Sequence, residues 1–113
     1  MSLASEDLSD RIRKLLPPLL PVTEQKMFGG RCFMLAGNML VCPMKDGGML
    51  VRVGKDNYEA ALTRPGAGPM LMSGRTMSGF IQVTGDALED DEALADWIGY
   101  ARSFVDTLPA KER

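Results

Sequence analysis

The stretch that decides the fold is Lys26-Met27-Phe28-Gly29-Gly30, the first of several short apolar runs interrupted by glycine. Towards the C-terminus follow Arg31 to Leu35, Met39 to Met44 and Met49 to Val53, separated by Gly37-Asn38 and Asp46-Gly47-Gly48. Glycine and asparagine accept positive φ at low steric cost, so these separators read as hairpin turns and the runs as an antiparallel meander. Pro43 fits an edge or a strand end, because it cannot donate to a ladder. Towards the N-terminus, Leu8, Ile12, Leu15 and Leu16 repeat at helical spacing. Ser5 reads as the N-cap of a helix running to Leu16, which Pro17-Pro18 stops.

Gly54 ends the meander. Lys55 to Leu62 then reads as a short helix with Tyr58, Ala61 and Leu62 turned inward, and Arg64 to Pro69 as a loop. Met70 to Met72 and Phe80 to Val83 are further strands around a polar bend, Ser73-Gly74-Arg75-Thr76. Asp90 to Leu108 is the longest helix, with Leu94, Trp97, Ile98, Ala101, Val105 and Leu108 on one stripe. The expected fold is therefore α+β. An antiparallel sheet of about five strands carries an N-terminal helix, a short middle helix and a long C-terminal helix. The 113 residues make one domain, 1–113, with residues 1–4 read as an added remnant or a disordered lead-in.

With 45% apolar and 25% charged residues the chain is an ordinary globule, and its net charge of −2 weighs against a dedicated nucleic-acid binder. The charge is uneven. Arg11 to Arg75 holds ten basic and four acidic residues, whereas Asp86 to Asp96 holds six acidic and none basic. Glu89, Asp90, Asp91 and Glu92 suit a helix start, where carboxylates complement the dipole; an acidic patch for a basic partner is the sharper reading. No stretch approaches a signal peptide or a membrane span, so the cytoplasm is the expected compartment.

The chain contains no histidine, which removes Ser–His and Cys–His nucleophilic pairs. Gly66-Ala67-Gly68 lacks the third glycine of a dinucleotide fingerprint, and no Gly-Lys-Ser/Thr sequence occurs. Two cysteines make neither a zinc site nor a CxxC motif. A two-residue turn at Gly37-Asn38 puts Cys32 and Cys42 on opposite sheet faces as two free thiols; a three-residue turn including Ala36 sets them face to face. The first register is the expected one. Eight of nine methionines fall between Met27 and Met77, which suits irregular packing or an adaptable binding surface. No catalytic, cofactor or metal residue is assigned. Lys26, Arg31, Arg52 and Arg75 are the candidate partner or anion contacts, against a plain reading as solvated surface.

Val22-Thr23-Glu24-Gln25-Lys26-Met27-Phe28-Gly29-Gly30 resembles the opening of the N-terminal domain of the TfoX/Sxy competence-regulator family. So do Gly37-Asn38-Met39, Leu50-Val51-Arg52-Val53-Gly54 and Tyr58-Glu59-Ala60-Ala61-Leu62. Arg64-Pro65-Gly66-Ala67, Ser73-Gly74-Arg75-Thr76-Met77 and Trp97 continue the likeness, which runs from about Glu6 to Leu108. The resemblance implies helices packed on an antiparallel sheet and an accessory role in bacterial gene expression. It implies a protein partner in the transcription machinery, such as a cyclic-AMP receptor protein, and no enzymatic activity or cofactor. Longer members carry a second domain resembling helix-hairpin-helix modules; this chain stops at Arg113, so direct DNA contact is not expected of it. The leading expectation is a non-enzymatic regulatory domain acting through protein contacts. The alternatives are a small-ligand or anion-binding domain, with the four basic residues converging on a pocket, and direct DNA binding. A homodimer is the expected assembly.

Overall fold

A computed structural model describes residues 3–27, 30–44, 47–72 and 74–108. It contains α1 (Leu3–Leu15), β1 (Val22–Met27), β2 (Gly30–Leu35), β3 (Asn38–Pro43) and β4 (Met49–Arg52). These are followed by α2 (Lys55–Leu62), β5 (Ala67–Met72), β6 (Arg75–Val83), a 3-10 turn (Gly85–Leu88) and α3 (Asp91–Val105). The fold is α+β. Its sheet has six antiparallel strands in the order β1-β2-β3-β4-β6-β5, one more than the sequence reading gave.

Both edge strands start earlier than their expected bounds. Lys26 is only the end of a six-residue strand that starts at Val22, because Val22 through Met27 pair with Leu35 through Gly30. Phe28 and Gly29 of the opening motif lie outside the described residues. Likewise Ala67-Gly68-Pro69, expected in a loop, pair with Val83, Gln82 and Ile81 as the start of β5. A proline there is tolerated because β5 is an edge strand with no further neighbour to receive its N–H. Arg75 and Thr76 belong to β6 rather than to the bend, opposite Met72 and Leu71. Pro43 is the last residue of an interior strand, so of the two positions expected for it the strand end is the one found.

The hairpin between β2 and β3 differs from the expected register. The turn is Ala36-Gly37, both at positive φ (52° and 85°), and Leu35 pairs with Asn38. One residue later the register shifts, so that Met34 pairs with Met39 but Phe33 pairs with Val41. Leu40 is the extra residue of a bulge, and both Leu40 and Val41 enter the same core cluster. Continuing the Phe33–Val41 register by one step sets Cys32 opposite Cys42. Neither cysteine is in a disulfide, as expected, but the two share one face instead of lying on two.

All three helices pack on one face of the sheet. Leu8, Ile12 and Leu16 of the first helical segment, Ala61 of α2, and Leu94, Trp97, Ile98, Ala101 and Val105 of α3 bury against Phe33, Val41, Met49, Val51 and Ile81. Complete burial of such a side chain contributes about 1.5–3 kcal/mol, so this layer dominates the stability. α1 begins at Leu3, which leaves Ser5 inside the helix rather than at its cap, and Leu15 turns outward from the expected stripe. α2 falls on its expected bounds. α3 starts one residue later than expected because Asp90 is its N-cap, its carboxylate accepting from the Glu92 N–H; the helix ends at Val105. Arg11 fastens α1 to that cap: its Nη2 donates to Leu88 O at 2.7 Å and to Asp91 Oδ1 at 2.9 Å. Thus the acidic run does start a helix, and one of its carboxylates also holds the N-terminal helix in place.

The other face carries a second cluster: Cys32, Met34, Met39, Cys42, Leu50 and Met70, with Met44, Met77 and Phe80 against it. No buried residue of a described helix belongs to it.

Candidate functional site

The four basic residues singled out in the sequence do not meet. Lys26 and Arg31 pair across β1 and β2, in register with Glu24 and Phe33 and therefore on the helical face. Arg31 is held there by Glu24, whose Oε1 accepts from Arg31 Nη1 at 3.4 Å. Arg13 of α1 grips the same carboxylate with two bonds, Nε to Oε2 at 2.8 Å and Nη2 to Oε1 at 2.7 Å. Hydrogen bonding from Arg13 lowers the Glu24 pKa against the opposing effect of burial, and the same bond raises that of Arg13. Arg31 is thus part of an ion cluster that pins α1 to β1. Arg75 is exposed at the tip of the β5–β6 hairpin.

Arg52 is placed differently. It follows Leu50 on the helix-free face and pairs with Phe80 of β6. Its guanidinium lies 5.7 Å from the centre of the Phe80 ring and 5.5 Å from that of Phe104, on α3. Such cation–ring contacts are worth about 0.5–1 kcal/mol at partly exposed sites and fix the side chain's direction. Among the described residues no carboxylate pairs with Arg52; its contacts are the two rings. It borders a cleft of about 320 Å³ lined by Arg52, Gly54, Lys55, Asp56, Gly79, Phe80 and Phe104.

Two glycines shape this cleft. Gly54 caps α2 at φ 83°, and a Cβ there would lie 2.3 Å from Phe104 Cδ1. Gly79, at φ 91°, accepts the N–H groups of Val53 and Gly54 on its carbonyl (2.8 and 3.0 Å). At Gly79 a Cβ would meet the Gly54 backbone only at ordinary contact distance (3.4 Å), so there it is the positive φ that favours glycine. The first turn of α2 has no side-chain cap, and its residues Lys55 and Asp56 border the same opening. With Arg52 and Lys55 lining it, and Asp56 as the one acidic lining residue, the cleft favours a carboxylate or phosphate group carrying apolar surface. It offers no nucleophile–base pair.

The sequence reading found Arg52 but not its companions. Locally, Phe80 reads as a strand residue and Phe104 as a helix residue, and nothing in the sequence announces that the end of α3 reaches the end of β4. The paired glycines, each after or before a strand residue that matters, were the available signal. The second missed feature is the sulfur cluster, hidden by the bulge at Leu40. Cys32 and Cys42 are fully buried and hydrogen-bonded to each other. The bond to Cys32, reinforced by burial, pushes the Cys42 thiol far above its ordinary range, while Cys32 is lowered by the same bond. Among the described residues no helix is long and apolar enough to cross a membrane.

The family model of the TfoX N-terminal domain matches residues 14–105. Comparison with characterised proteins finds no match to the chain.

Proposed function

The chain belongs to the TfoX N-terminal domain family, and from that premise we propose that it is a non-enzymatic regulatory domain of gene expression that works through protein contacts. The proposed partner is a component of the transcription machinery, such as a cyclic-AMP receptor protein, as the likeness to the competence regulators implies. The observation that carries the contact reading is Arg52: a guanidinium aimed by two phenyl rings and, among the described residues, engaged by no carboxylate. A side chain so fixed loses little conformational entropy when an acidic group of a partner arrives. Arg31, by contrast, already has its carboxylate.

The cleft beside Arg52 supports a second reading, in which the acidic group belongs to a small carboxylate or phosphate ligand. Direct DNA binding is weaker, because the net charge is −2 and Trp97 is buried in the core rather than offered for stacking. Affinity capture with the tagged chain from its native host tests the proposal. Specific recovery of a transcription factor or polymerase subunit supports it. Recovery of nothing beyond the untagged control, together with a tight small anion seen by native mass spectrometry, moves the assignment to the second reading.

A further inference from the structure

The bulge at Leu40 has a chemical consequence on the helix-free face. It sets four sulfur atoms there as two adjacent cross-strand pairs, Cys32 opposite Cys42 and Met34 opposite Met39. Paired without a bulge, the same sequence would alternate strictly from Met39 and send Cys42 to the helical core. Opposed residues of an antiparallel pair have Cβ atoms about 4.5–5.5 Å apart, so one metal ion can reach donors on both strands. We propose that Cys32, Cys42, Met34 and Met39 form a binding site for a soft monovalent cation of the copper(I) class.

Three observations carry this. Thiolate and thioether donors together select copper(I), whereas zinc takes cysteine, histidine or carboxylate. The chain has no histidine, and among the described residues no cluster of three histidine, cysteine or acidic side chains exists. The surroundings are apolar, made by Leu50 and Met70, and a monovalent ion needs only one thiolate to leave the complex neutral there. Binding therefore exchanges a thiol proton for the metal, the proton passing to solvent, and no electron transfer is involved. Finally, the depth is graded. The thiols are 0% exposed while Met34 and Met39 retain 9% each, and no described helix covers them.

The test is an anaerobic titration of the full chain with copper(I), supplied as its acetonitrile complex, in competition with a chromogenic copper(I) chelator. One copper per chain should be withdrawn from the chelator. Cys32→Ser should abolish this, and the double variant Met34→Leu with Met39→Leu should stay folded yet bind about tenfold or more weakly. The Met variant remains decisive if Cys32→Ser fails to fold. Failure of the wild type to compete overturns the site. Equal affinity of the Met variant and the wild type also overturns it, because the thiols alone would then account for the metal.

Discussion

The two faces of the sheet are built from the same strands and differ in what lies over them. On one, Phe33, Val41, Val51 and Ile81 sit under three helices with Trp97 at the centre. On the other, Cys32, Met34, Met39 and Cys42 lie under no described helix, with Arg52 and Phe80 at the margin. Branched and aromatic side chains fill a defined interface; methionine and cysteine are adaptable and polarisable, and they bring reactivity rather than rigidity. The difference teaches that the rigid packing of the fold is concentrated on one side of the sheet and its sulfur-bearing, adaptable side chains on the other.

That division is easiest to break at the helical layer. Trp97→Ala should cost about 3–5 kcal/mol, read as a lower midpoint in urea. Met34→Leu and Met39→Leu, which conserve volume on the other face, should each cost less than about 1.5 kcal/mol. Comparable losses on both faces would erase the contrast. Gly54→Ala comes next, at about 2 kcal/mol or more, since it combines positive φ with a collision against Phe104. Because that collision is at the cleft, the Phe104 environment should shift as well, visible by NMR.

The ion cluster that pins α1 gives a smaller and pH-dependent effect. Glu24 is held below the ordinary carboxylate range by Arg13, so its stabilisation is fully present above the unfolded pKa and is lost as pH falls through the lower folded value. Glu24→Gln should cost about 1 kcal/mol or less at pH 7. The difference from wild type should shrink as pH drops from about 5 to about 3, followed by thermal unfolding. A difference that grows on acidification would mean the carboxylate is not stabilised by its arginines.

Much of this architecture is legible in the chain. The glycine-separated runs announce the strands, α2 lies within its expected bounds, and the stripe from Leu94 to Val105 announces the last helix. What resisted reading was long-range or depended on register. Val22 to Gln25 alternate too weakly to mark a strand, and become one only because β2 offers a partner. The turn formed at Ala36-Gly37 although Gly37-Asn38 has the stronger local chemistry, and the bulge at Leu40 then restored the facing cysteines by another route. Among the basic residues, composition could not separate Arg31, neutralised by Glu24, from Arg52, which rests on two rings. Those partners come from elements far away in sequence.

The contrast between these two arginines gives the most direct test. Arg52→Glu, which gives up two ring contacts, and Arg31→Glu, which sets like charges beside Glu24, should each cost about 1–2 kcal/mol and stay folded; both should be run beside the wild type in quantitative affinity capture from the native host. Loss of the captured transcription partner with Arg52→Glu, and its retention with Arg31→Glu, is the result predicted here. Equal recovery by all three chains, or loss confined to Arg31→Glu, would contradict it.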